Sequence, residues 1–164
     1  MAKHAAECGA AGIVTCGRQQ EKGRAVAAAI EELGCPAVCV PADLARVEDC
    51  RNVVQACDER FGRVDGLVNC AADTNRGTIE NTSIELWDYQ FAVNVRAPFV
   101  LTQETVRIMK REGIAGSIVN ILSVAAYCGL PIICAYSSTK GAGSLIDYSQ
   151  RVVGTLSMPA FNQN

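Results

Sequence analysis

Three side chains in this 164-residue chain have types and spacings suited to proton transfer: Ser123, Tyr136 and Lys140. Tyr136 and Lys140 stand four residues apart in Ala-Tyr-Ser-Ser-Thr-Lys-Gly, and on a helix residues i and i+4 share a face. An ordinary tyrosine, with a pKa of about 10, is a poor base at neutral pH. An ammonium beside it favours the phenolate and moves the phenol toward the range in which general acid–base catalysis works. Ser123 ends the apolar run Ser117-Ile-Val-Asn-Ile-Leu-Ser123. That run predicts a strand whose end offers a hydroxyl to a substrate oxygen opposite the phenol. Taken alone the Tyr/Lys pair is weak evidence, since so short a motif matches by chance and also describes an exposed pair on a solvated helix face.

The elements that must position these groups alternate along the chain. Residues 2–8 read as a helix end stopped by Gly9, and residues 11–15 as a short strand. A helix over 21–33 is followed by Gly34, and residues 37–40 form the next strand. Val47, Cys50, Val54, Cys57 and Phe61 repeat at helical spacing before Gly62, and residues 64–69 make a short buried strand. Repeated strand–helix units imply a parallel sheet covered on both faces. The longest helix opens on Thr82-Ser-Ile-Glu85, a capping-box pattern, and then meets Pro98. A proline has no N–H for the carbonyl four residues earlier, here that of Asn94, and the freed acceptor must find water or a side chain. A merely kinked surface helix is the alternative.

Composition excludes several function classes. With 49% hydrophobic residues the chain can bury the core of one domain, and a net charge of −2 provides no basic field for nucleic acid. No apolar run approaches the roughly 20 residues of a membrane span. No signal peptide is expected, because Lys3, His4 and Glu7 interrupt the first residues, so the expected location is the cytoplasm. The nine cysteines include no Cys-x-x-Cys and are odd in number. They are expected to be reduced and mostly buried, behaving as small hydrophobes. Cys35 and Cys39 would make a poor metal pair, since the only histidine is His4, and no metal site is expected. A serine hydrolase is rejected because Ser123 would need a histidine base.

Asn94, Ser123, Tyr136 and Lys140, in this order and at these separations, resemble the catalytic Asn, Ser, Tyr and Lys of the short-chain dehydrogenase/reductases. The resemblance runs from about residue 5 to about residue 145. Asn69-Cys-Ala-Ala72 is similar to that family's Asn-Asn-Ala-Gly stretch after its fourth strand, with Cys70 and Ala72 departing from it, and Asp43-Leu44 looks like the pair that borders the adenine. The resemblance implies a Rossmann-like, doubly wound parallel α/β sheet, with residues 1–145 forming part of a dinucleotide-binding domain and residues 146–164 a divergent tail. It implies hydride transfer between a nicotinamide cofactor and a small alcohol or carbonyl substrate. In that reading Tyr136 exchanges the proton, Lys140 holds the nicotinamide ribose, Ser123 orients the substrate oxygen, and Asn94 holds a relay water on its carbonyl. Arg18, Asp43, Leu44, Asn69, Ala71, Tyr136 and Lys140 would contact the cofactor.

Gly17 stands where NAD-selecting members carry an acidic residue, and Arg18 follows it. A guanidinium there pairs with a 2′-phosphate, so NADP(H) is expected ahead of NAD(H). No Gly-x-x-x-Gly-x-Gly occurs in the chain. By resemblance the family's first strand, its Gly-rich phosphate turn and its last strands are missing, which marks the chain as truncated. The sheet would then have an opening of two strand spacings, roughly 10 Å. An inactive fragment or an interaction piece of such an enzyme is therefore the alternative function. Relatives commonly form dimers and tetramers through the two helices that bear Asn94 and Tyr136, so a homo-oligomer is expected.

Overall fold

A computed structural model of the chain describes residues 1–150, with side chains through residue 144. The expected divergent tail lies, from residue 151 onward, outside the described residues. The elements alternate as anticipated. Helix α1 (Ala2–Glu7) precedes strand β1 (Ile13–Gly17), α2 (Gln20–Glu31) precedes β2 (Ala37–Pro41), and α3 (Val47–Phe61) precedes β3 (Gly66–Asn69). A long helical segment comes next, made of α4 (Ile84–Phe91), a five-residue π-turn (Ala92–Arg96) and α5 (Ala97–Arg111). Strand β4 (Ser117–Asn120), a short 3₁₀ turn (Val124–Ala126) and α6 (Cys134–Gln150) complete the order.

Local chemistry explains the boundaries, including those that moved. β1 starts two residues later than expected and runs on to Gly17, because its ladder with β2 pairs Ile13 with Ala37 and Gly17 with Pro41. Hydrogen bonding to a neighbouring strand, which the single segment could not reveal, decided its ends. α3 stops at Gly62, whose φ of 70° is left-handed and whose N–H donates to the Asp58 carbonyl at 2.7 Å. The cap of α4 falls on Ser83, not Thr82: Ser83 Oγ accepts from the Leu86 N–H at 3.2 Å. Thr82 instead donates its hydroxyl to the Thr78 carbonyl at 2.6 Å, closing the preceding turn. Glu85 still serves the helix start, its carboxyl held below the usual range by its own backbone N–H and the Ser83 hydroxyl.

The strands are parallel throughout but form two separate ladders, β1–β2 and β3–β4. No ladder joins β1 to β3 among the described residues, which accords with the expected opening. Helices bridge the two pairs. α3 covers β1 and β2, α5 covers β3, and the two helices pack on each other. Their shared core contains Cys50 and Val54 from α3 and Ala97, Val100, Leu101, Ile108 and Met109 from α5, with Leu67 of β3 and Ile118 of β4 against it. A bidentate pair of Arg111 with Asp58, at 2.7 and 2.6 Å, ties the same helices at the surface. On the other face of β1–β2 a smaller cluster of Ala6, Ile30 and Cys35 packs against Ile13 and Ala37. At Gly23 the approach of α2 to β2 is so close that a Cβ would run into the Cys39 sulfur.

Substituting Gly62 by Ala isolates the cost of the left-handed cap, since a Cβ there meets no atom within 4 Å. Gly62→Ala is expected to lower the unfolding free energy by about 1 kcal/mol. The measurement is a shifted urea midpoint with an unchanged slope.

Candidate active site

The site lies beyond the carboxyl ends of β3 and β4, where parallel α/β proteins place their ligands. Asn69 and Asn120 end those strands as register partners. The Asn69 side-chain nitrogen donates to Asn120 Oδ1 at 2.8 Å and to Thr102 Oγ1 at 3.4 Å. Its Oδ1, although buried, meets no protein donor. Asn69 lines a chamber of about 20 Å³ shared with Asn94, Pro98, Asn120, Ile121 and Lys140.

Asn94 reaches this chamber through the π-turn. Pro98 cannot donate to the Asn94 carbonyl, and one residue earlier the Ala97 N–H bonds to the Ala92 carbonyl five residues back. Such an inserted residue rotates the next turn of the helix and frees backbone groups at that point. The helix is distorted where the proline lies, as the sequence anticipated, but it is not broken. The side chain of Asn94, only 5% exposed, is fully committed. Its Oδ1 accepts from the Asp73 N–H at 2.7 Å, and its Nδ2 donates to the Asp73 carbonyl at 2.9 Å and to Thr139 Oγ1 at 3.1 Å. The Asn94 side chain is thus engaged by Asp73 and Thr139, and Pro98 offers no N–H to its main-chain carbonyl.

α6 carries Tyr136, Thr139 and Lys140. The Thr139 hydroxyl donates to the Tyr136 carbonyl at 2.7 Å. Lys140 is 7% exposed, and its Nζ donates to the Ile121 carbonyl at 2.8 Å while lying 5.7 Å from the centroid of the Tyr136 ring. Tyr136 and Lys140 thus do share a face, and burial pushes the Lys140 ammonium below its ordinary range. Ser123 is not on a strand. β4 ends at Asn120, and Ser123 caps the 3₁₀ turn three residues on, its Oγ accepting from the Ala125 N–H at 3.2 Å. Apolar character continued past the last ladder hydrogen bond, which misplaced the strand end. α6 packs directly on this turn, and Gly143 lets it approach the Leu122 side chain.

A second cleft, of about 120 Å³, opens between the ends of β1 and β3. Cys16, Gly17, Arg18, Asp43, Leu44, Ala71, Asp73 and Tyr89 are among its walls. Arg18, Asp43, Leu44 and Ala71 thus come together as expected, while Asn69, Asn94 and Lys140 line the neighbouring chamber. The exposed Arg18 donates from Nη1 to the Tyr89 hydroxyl at 2.8 Å. Cys16 illustrates a misjudged class. Of the nine free cysteines only Cys35 and Cys50 are buried, and Cys8, Cys16, Cys70 and Cys128 are exposed. Apolar neighbours in sequence do not guarantee cover in space. Cys16 lines its cleft, where desolvation, with nearby Cys50, Cys70 and Cys39, pushes its thiol up to about 11. Gln90, Thr139, Tyr89 and Asn120 were not singled out from the sequence. Gln90 and Asn94 are one helical turn apart, and two polar side chains on an inward face were the available signal.

A family model described as short chain dehydrogenase matches residues 1–149. The chain belongs to the short-chain dehydrogenase family. It is 41% identical over 123 residues to an uncharacterized oxidoreductase of Thermotoga maritima, covering 75% of this chain and 48% of that protein. Over 88 residues, 54% of this chain and 36% of the other, it is 41% identical to a pig protein named carbonyl reductase [NADPH] 2. Among solved structures, a putative short-chain alcohol dehydrogenase from Sinorhizobium meliloti superposes with a TM-score of 0.84 at 30% identity, covering 93% of this chain and 60% of that one. A short chain dehydrogenase from Burkholderia cenocepacia in complex with NADP gives a TM-score of 0.82 at 32% identity, covering 92% and 60%. The chain spans about half the length of the first of these curated relatives and three fifths of the solved structures. Membership of the short-chain dehydrogenase family accounts for the parallel α/β arrangement and for the position of the two clefts beyond the strand ends.

Burial of Lys140 makes a prediction about stability. Its folded pKa lies below the unfolded value of 10.5, so the unfolded state holds more protons between the two. Stability must then rise with pH across that window, and below it the full desolvation cost is present. Lys140→Met removes the term. The difference in unfolding free energy between the variant and the parent, followed by urea titration from pH 7 to 11, is expected to shrink as pH rises. A constant difference would show that burial does not govern this ammonium.

Proposed function

We propose that this chain carries the proton-transfer centre of an NADP(H)-dependent oxidoreductase acting on a small alcohol or carbonyl compound. The observation that carries the reading is the placement of Tyr136 and Lys140 on one face of α6, packed on the turn that presents Ser123. In the oxidative direction the phenolate of Tyr136 takes the proton of the substrate hydroxyl, and the hydride leaves the carbon that bears this hydroxyl, which becomes a carbonyl. The nicotinamide cofactor, when bound, supplies the acceptor for that hydride. Ser123 donates a hydrogen bond to the substrate oxygen. Lys140 stands 5.7 Å from the centroid of the Tyr136 ring, and its anchorage on the Ile121 carbonyl holds it there. The chamber beside Lys140 has room for one water. Asn94 and Asn69 line it with Lys140, and in this reading their oxygens accept from that water, which suits a proton path from Lys140 toward solvent.

The residues fit the two ends of the cofactor. Arg18 beside Asp43 and Leu44 forms a cleft for an adenosine bearing a 2′-phosphate, with Ala71 along the wall. Lys140, Tyr136, Asn69 and Asn94 suit the nicotinamide end. The Burkholderia relative is described in complex with NADP, and the pig relative's name specifies NADPH. NAD(H) is the weaker choice, because no carboxylate occupies position 17 to hold free ribose hydroxyls. A cytoplasmic location and a homo-oligomer belong to the same reading; among the described residues no helix is long and apolar enough to cross a membrane. Phe99, 52% exposed on α5, supports the packing of a second copy against that helix. Light scattering is expected to find a dimer or tetramer, and a stable monomer would count against it.

Two observations favour the second reading, a non-catalytic piece of such an enzyme. The ladders β1–β2 and β3–β4 are not joined, and the chain contains no Gly-rich turn to cradle a pyrophosphate. Calorimetric titration of this chain with NADPH and NADH separates the readings. NADPH is expected to bind more tightly, and Arg18→Ala to weaken it roughly tenfold to hundredfold, the range of a charge-assisted hydrogen bond. A preference for NADH would sink the role of Arg18. If neither binds, the non-catalytic reading stands.

A further inference from the structure

The buried polar groups around Asn94 form one continuous path between the two clefts. Gln90 is fully buried, as is Thr139. The Gln90 amide nitrogen donates to Asp73 Oδ1 at 3.0 Å and to the Asn75 carbonyl at 2.8 Å. The half-buried Asp73 carboxylate also receives the Asn75 N–H at 3.2 Å and the Asn75 side-chain amide at 3.1 and 2.9 Å. The backbone N–H and carbonyl of Asp73 are both taken by the Asn94 side chain, whose remaining donor goes to Thr139. Thr139 in turn donates to the Tyr136 carbonyl. One end of this path, Asp73, lines the cleft with Arg18. The other end lies on α6 between Tyr136 and Lys140.

We propose that Gln90 and Asp73 are positioning residues, which set the Tyr136–Lys140 segment of α6 against the Arg18 cleft through Asn94 and Thr139. Calling that segment catalytic rests on the proposed function; the positioning itself does not. The physical reason is that no member of the path can move alone. Gln90 grips a carboxylate and a carbonyl with one amide nitrogen, and neither acceptor tolerates an apolar neighbour in its place. Releasing Asp73 turns its backbone away from Asn94. Asn94 then loses two of its three bonds, and its hold on Thr139 loses its direction. Partly satisfied buried networks rearrange as units for this reason. A Gln90 that only fills space would instead affect global stability and leave the geometry of α6 alone.

Three variants of this chain test the inference. Gln90→Leu keeps the volume and removes both hydrogen bonds. Gln90→Glu restores a donor to Asp73 only while the new carboxyl is protonated. Gln55→Leu, on the exposed face of α3, is the control. Amide hydrogen exchange of residues 134–144 is measured under conditions where circular dichroism shows each variant folded, together with the titration of Lys140 by NMR of ¹³Cε-labelled lysine, assigned from the spectrum of Lys140→Met. In Gln90→Leu, protection of residues 134–144 is expected to fall by about tenfold through local opening, and the lowered Lys140 pKa to move back toward its ordinary value. In Gln90→Glu, protection is expected near parent levels at pH 5 and lost as pH rises, when two carboxylates face each other. If Gln90→Leu lowers the melting temperature but leaves both readouts at parent values, the positioning role is overturned. Should Gln90→Leu fail to fold, Thr139→Val breaks the path at its last side chain and must give the same two changes; parent-like readouts there overturn the inference equally. Because neither readout involves a dinucleotide, these results stand or fall apart from cofactor binding.

Discussion

Three hydrogen bonds to the side chain of Asn94 hold the site together. The Asn94 side chain is buried, so leaving any of them unmade carries a desolvation penalty. They join the loop after β3 to α6, two segments far apart in sequence. The π-turn makes this possible. Without the extra residue the helix from α4 to α5 would present Asn94 at a different angle, and Pro98 ensures that a regular α-helical bond cannot close at that carbonyl. A local defect of the backbone thus acquires a use, in line with the tendency of single π-turns to occur at functional positions.

The ionisable groups of the two clefts are arranged to different ends. Lys140 is largely buried and donates to one strong acceptor, the Ile121 carbonyl. It is therefore a cation of reduced basicity beside a phenol, not an exposed charge screened by solvent. Arg18 is exposed and oriented by a neutral partner, the Tyr89 hydroxyl. A guanidinium held without a carboxylate partner retains its charge for an incoming anion, whereas the bidentate Arg111–Asp58 pair spends its charge on tying two helices.

The framework beneath the site depends on helices more than on its sheet. Two parallel ladders of five and four pairs would be marginal alone. Apolar side chains of α3 and α5 join them into one body, with Leu67 and Ile118 of the second ladder resting on the same core as Val54 and Leu101. The gap between β1 and β3 is bordered by the walls of the Arg18 cleft. Cofactor-side residues and the discontinuity of the sheet thus belong to one region of the molecule.

Much of this was legible in the chain itself. Helical spacing of Val47, Cys50, Val54, Cys57 and Phe61 located α3 to the residue, and Gly62 its end, because both signals are local. The same holds for the face shared by Tyr136 and Lys140 and for the helix distortion at Pro98, where covalent structure removes a donor. What was misread depended on partners distant in sequence or on rival groups. The ends of β1 and β4 were set by ladder bonds to β2 and β3, the cap of α4 by competition between Thr82 and Ser83 for nearby backbone groups, and the exposure of Cys16 and Cys70 by the packing of the assembled chain. The commitment of the Asn94 side chain to Asp73 and Thr139, and the entire role of Gln90, exist only once α4, α6 and the loop after β3 are packed together. Composition, periodicity and covalent geometry determined by themselves which elements form and which groups can do chemistry. Tertiary packing decided which of those groups lost their water, because burial and long-range hydrogen bonds are properties of the assembled chain.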